Sequence, residues 1–137
     1  VQGDDFKALD YFKKSLKIVL SVYGENHSQV SSIYDHIGEV YFAQKDYSKA
    51  LYYFEESLKI RLSLFGENHP EVALSYYSIG SLYIIQGDKS KALNYYEKSL
   101  KIRLSVYGEN HPLTKEIMDL INVAANSKVL QSPETTK

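Results

Sequence analysis

At 137 residues, with 44% hydrophobic and 24% charged side chains, the chain has the composition of a folded protein rather than a disordered one. A net charge of −1 lacks the basic excess that nucleic acid or an anionic membrane surface selects, and no apolar run approaches the ~18 residues a bilayer span needs. The absence of cysteine excludes a disulfide framework and thiolate chemistry, and the expectation is a cytoplasmic protein with no cofactor.

Residues 4–23 predict the first helix, because Ala8, Leu9, Phe12, Leu16, Val19, Leu20 and Tyr23 recur at three- and four-residue steps. The same pattern returns in residues 50–69, ALYYFEESLKIRLSLFGENH, and again in 92–111, ALNYYEKSLKIRLSVYGENH. Gly24, Gly66 and Gly108 each open a GENH and lie 42 residues apart. A fixed period of this size marks stacked supersecondary units, each too small to bury its own apolar face. The expected organisation is one array over 1–130. Residues 1–27 are the second helix of a truncated unit, 28–69 and 70–111 are complete units, and 112–130 is a capping helix. The chain start reads as a cut and its end as a boundary.

Glycine at 24, 66 and 108 stops each longer helix, and the asparagine two residues on, Asn26, Asn68 or Asn110, is the expected cap of the next. Glu71, three residues after Asn68, and Gln29 after Asn26 fit a capping box, and Pro70 and Pro112 sit where a missing N–H costs nothing. Residues 28–44 predict the second helix, with a buried stripe of Tyr34, Ile37, Gly38 and Tyr41 that repeats as Tyr76, Ile79, Gly80 and Tyr83. A mid-helix glycine costs ~1 kcal/mol relative to alanine. Its recurrence at one register predicts close approach of the following helix, which enters through Ala50 or Ala92. Leu51, Phe54, Leu58 and Leu62 then supply the core face of that helix, while Glu55 with Lys59 and Glu97 with Lys101 mark its solvated side; the second-type helices also carry Arg61 and Arg103.

From Pro112 the pattern drifts: Asn122 stands at the glycine position and Ala125 at that of the second tyrosine. Residues 131–137 are polar, contain proline, lack periodicity and are expected to be a disordered tail.

The series Tyr34, Ile37, Gly38, Tyr41, Ala50, Phe54, Ser57, and again Tyr76, Ile79, Gly80, Tyr83, Ala92, Tyr96, Ser99, resembles the tetratricopeptide repeat (TPR). That family's usual period is 34. The eight further residues fall in a longer second helix ending in GENHP, which is similar to the kinesin-light-chain-like variety. The resemblance implies an all-α fold, a right-handed α-solenoid of antiparallel helix pairs, and a protein-binding scaffold or adaptor. It also implies that first-type helices line a concave groove. By this register the groove positions are Ser32, Asp35, Glu39 and Phe42, then Leu74, Tyr77, Ser81 and Ile84, then Glu116, Asp119, Val123 and Asn126. None is basic, so the implied ligand is a peptide segment or helix of a partner protein with basic residues and an apolar anchor. Tyr77 is the expected anchor because its copies are Asp35 and Asp119 while the flanking core repeats.

No nucleophile elbow, phosphate loop or zinc-protease motif occurs, so no catalytic or metal-binding residue is assigned. His27, His69 and His111 are one turn position in three copies and are expected to brace their turns. The alternative reading is a self-association or intramolecular regulatory module. A first helix without its mate would expose apolar residues and could pair two copies as a homodimer.

Overall fold

The computed structural model describes residues 2–127, which form six helices and no strand: α1 (Gln2–Tyr23), α2 (Ser28–Ala43), α3 (Tyr47–Phe65), α4 (Pro70–Gln86), α5 (Lys89–Tyr107) and α6 (Pro112–Asn126). Helices α1–α3 make one compact unit and α4–α6 a second. The capping helix ends at Asn126, and the expected tail lies outside the described residues.

In the first unit the connections span only residues 24–27 and 44–46, so consecutive helices must turn back on each other. Their contacts confirm this. Tyr23 stacks on His27 while Phe12 stacks on His36, and across the next pair Arg61 meets Asp35 while Phe54 meets Gly38. Val30, Ile37, Tyr41, Ala50 and Phe54 form the core. Full burial of an aliphatic side chain such as Ile37 contributes ~1.5–3 kcal/mol. Tyr53 fills the space beside it, 5.8 Å from Tyr34 and 5.7 Å from Tyr41 between ring centroids.

The second unit repeats the design with Val72, Ala73, Ile79, Leu82, Ala92, Tyr96 and Ile102, and α6 adds Ile117 and Ala124. The glycine expectation holds in both. A Cβ on Gly38 would lie 2.7 Å from Cε1 of Phe54, and one on Gly80 2.7 Å from Cδ1 of Tyr96, each 3.3 Å from the carbonyl oxygen of Ala50 or Ala92. Only a residue without a side chain lets the helices come this close.

The caps are a correction. The cap residue is histidine, one position after the asparagine expected from cap preferences. In extended backbone, His27, His69 and His111 each accept through Nδ1 from the backbone N–H two residues on, at 3.1 Å. The rings of His27 and His111 also stack on Tyr23 and Tyr107, the end of the preceding helix, at 4.2 Å. One ring thus satisfies an orphan donor and fixes the angle between two helices.

Candidate functional site

Helix α2 carries the four groove positions of the first unit, and the structure treats them differently. Ser32 and Glu39 are exposed, and Phe42 is half-buried with its ring edge-on to Tyr47. Glu39 bonds its Oε1 to Nδ1 of His36 at 3.2 Å. Asp35, in contrast, points into the hairpin: Oδ2 lies 2.6 Å from Nη1 of Arg61, a side chain only 3% exposed. Burial pushes the Asp35 carboxyl up from the ordinary aspartate range, and Arg61 and Ser57 pull back against that.

Arg61 and its copy Arg103 share their helices with the exposed lysines but face inward. Both are buried. Arg61 follows Phe54 by seven residues and Ser57 by four, so helical geometry alone sets it on the core stripe of α3.

In the second unit Arg103 gathers several groove positions around itself. Its Cζ sits 5.4 Å from the ring centroid of Tyr77 on α4, and its Nη1 donates to the carbonyl of Leu113 at 3.0 Å and to Oε1 of Glu116 on α6 at 3.5 Å. Tyr77 also stacks on Tyr96, at 6.1 Å, and the Tyr96 hydroxyl bonds Ser81 at 2.9 Å. A buried cation therefore holds α4, α5 and α6 by a ring, a carbonyl and a carboxylate at once. Leu74, Glu116, Asp119, Val123 and Asn126 remain exposed, and Ile84 is half-buried. Tyr77 and Glu116 are thus brought together, and Asp35 is turned away from any ligand by its own arginine.

No group of three histidine or carboxylate side chains among the described residues is arranged to hold a metal ion. No described helix is long and apolar enough to cross a membrane.

The family model of the tetratricopeptide repeat matches residues 1–63 and 36–105. No curated protein matches the sequence. Among solved structures, BtubC (BKLC) from P. vanneervenii aligns with a TM-score of 0.78 and 25% identity, over 93% of this chain and 52% of its own. A putative kinesin light chain of Podospora anserina with nearly identical TPR-like repeats aligns with a TM-score of 0.77 and 16% identity, over 90% of this chain and 58% of its own. A point variant of that protein gives the same values. The chain spans a little over half the length of these proteins. Six helices without a strand, together with this likeness, give the all-α repeat fold expected from the sequence.

Proposed function

Because the chain belongs to the tetratricopeptide repeat family, we propose that it is a non-enzymatic scaffold that binds a segment of another protein along its first-type helices. In the C-terminal unit the ligand lies on Leu74, Tyr77, Ser81 and Ile84 of α4 and on Glu116, Asp119 and Val123 of α6. In the N-terminal unit Ser32, Glu39 and Phe42 of α2 play this part, and Asp35 acts behind them as the counter-ion of Arg61. The observation that carries the reading is an exposed mixture of apolar and acidic side chains at one register. Val123 is 66% and Leu74 40% exposed, and Glu116 and Asp119 are open to water beside them. Such a surface favours a peptide with lysines or arginines around an apolar anchor.

The test is binding of a fluorescein-labelled peptide in which leucine alternates with lysine. An aromatic near the centre of an interface carries ~2 kcal/mol, so Tyr77→Ala should weaken affinity about thirty-fold. Tyr77 also supports Arg103, so Leu74→Ser and Val123→Ser, at exposed positions, separate lost contact from lost folding. Asp119→Lys should slow association and flatten its salt dependence, whereas Lys59→Glu should change nothing. Equal affinity across the Tyr77, Leu74 and Val123 variants would reject the groove.

A second reading, self-association, rests on α1. Phe6, Tyr11, Ile18 and Val22 are each 64–68% exposed on this helix, a larger run of open apolar residues than a surface usually carries. Sedimentation of the chain and of Tyr11→Ser/Ile18→Ser checks it: a concentration-dependent dimer abolished by the double variant is the expected result.

A further inference from the structure

A cleft of 490 Å3 opens in the C-terminal unit between the turn before α4 and the second half of α5, bordered by Glu67, Asn68, Tyr76, Lys98, Lys101 and Ser105. Nζ of Lys98 stands 5.6 Å and 5.3 Å from the ring centroids of Tyr76 and Tyr95, so its ammonium is held over two aromatic faces instead of sweeping through solvent. Asn68 Nδ2 donates to Ser105 Oγ at 3.2 Å, which leaves the serine proton for another acceptor. Among the described residues neither lysine has a carboxylate within ion-pair distance. Glu67 is the acidic group here, and after burial it is the main influence raising the Tyr76 hydroxyl.

The N-terminal unit holds the same scaffold with the charge inverted. Glu25, Asn26, Tyr34, Glu56, Lys59 and Ser63 stand 42 residues earlier. Glu56 replaces Lys98 and pairs with Lys59 at 3.4 Å. Burial first, then Glu56 and other neighbours including Glu25, raise the Tyr34 hydroxyl, which places both carboxylates about that tyrosine. Two lysines against one glutamate become two glutamates against one lysine. The tyrosine, asparagine and serine are common to both units, so the fold makes no demand that would account for the swap.

We propose that the cleft of the C-terminal unit is a second binding site, taking the carboxylate side chain of an acidic peptide segment. Lys98 and Lys101 supply the charge, the Ser105 and Tyr76 hydroxyls donate to the same oxygens, and Ile102 with the Tyr76 ring accepts the methylenes. Both lysines are exposed, so the binding is weak singly and falls steeply with salt. The site does not depend on the groove reading.

The experiment is fluorescence anisotropy of a labelled peptide of six glutamates interrupted by one leucine, at low salt. The whole chain should bind one peptide. Lys98→Glu, which installs what the first unit has, should weaken binding at least about tenfold, and Lys98→Gln should do so by less, with unfolding midpoints confirming that both fold. Glu56→Lys should raise the stoichiometry from one to two. No binding by the parent chain, or equal binding by Lys98→Glu, overturns the proposal.

Discussion

Asp35 and Arg61 face each other across the first complete hairpin with Oδ2 and Nη1 2.6 Å apart, the carboxylate side chain 16% and the guanidinium 3% exposed. In the next hairpin the same arginine, Arg103, meets the face of Tyr77. One variable position, Asp35 in the first hairpin and Tyr77 in the next, is therefore answering one repeated buried cation in two chemistries, a carboxylate and an aromatic ring.

Removing the carboxylate alone strands that cation, and breaking a buried pair in this way costs ~3–5 kcal/mol. Asp35→Ala should lose stability on this scale in urea melts at neutral pH. Asp35→Asn should lose much less, because its amide oxygen still accepts from Nη1 without the desolvation of a charge. Asp35→Tyr, borrowing the arrangement at Tyr77, should fall between them.

Asp35 also sets a pH dependence. Its folded-state value is raised by burial, so the native state keeps a proton over a window where the unfolded chain has released it. The stability this supplies is fully present below the ordinary aspartate value of ~4 and is lost as pH rises through the raised value. The stability of the parent chain relative to Asp35→Asn should therefore increase as pH falls through that window. A difference that stays flat, or moves the other way, contradicts the assignment.

Gly80→Ala sets two magnitudes against each other. Alanine gains ~1 kcal/mol of helix propensity over glycine, while overpacking costs ~1–3 kcal/mol. With the new carbon 2.7 Å from the Tyr96 ring, overpacking wins and the variant should be destabilised. Gly3→Ala, where nothing lies within 4 Å, should be neutral or slightly stabilised. Equal urea midpoints for the two would remove the case for a close helix approach.

His69→Ala should cost ~1 kcal/mol through the lost cap on α4, and His69→Asn should recover most of it, since asparagine is itself a good cap. Chemical denaturation of the three proteins measures both.

Arg103→Lys is a conservative change only by charge. A single ammonium cannot serve the Leu113 carbonyl, Glu116 and the Tyr77 ring together in the geometry a planar guanidinium allows. Hydrogen exchange should speed up in α6 first, while α2 and α3 keep the protection they have in the parent chain.

The array, the helix type of each segment and the glycine contact were legible in the sequence because repetition multiplies a weak periodic signal. Tyr76, Ile79, Gly80 and Tyr83 repeat an earlier register residue for residue. The burial of the arginines was not read from the sequence because charge masks register: Arg61 sits amid Lys59 and Glu55, yet its angular position belongs with Phe54 and Ser57. The caps were misplaced by one residue because statistical preference favours asparagine, whereas stacking on Tyr23 and Tyr107 favours the histidine beside it. Among the groove positions, Asp35 and Ser81 have partners inside their own hairpins that only side-chain packing reveals.

Ser81 bonds the hydroxyl of Tyr96, and at the matching places of the preceding hairpin Glu39 turns to His36 while Phe54 has no hydroxyl to offer. Asp35 belongs with Arg61 and Tyr77 with Arg103 in the same way. Single helices are therefore not interchangeable parts. Grafting α2 in place of α4 would set Glu39 against the Tyr96 phenol and discard Ser81, the partner of that hydroxyl, although the two helices share most of their buried residues. The smallest segment that can be duplicated, shuffled or recombined without repair is a whole hairpin, α2 with α3 or α4 with α5. An engineer lengthening this protein should cut at the GENH turns, where the seams carry the same histidine cap in every copy.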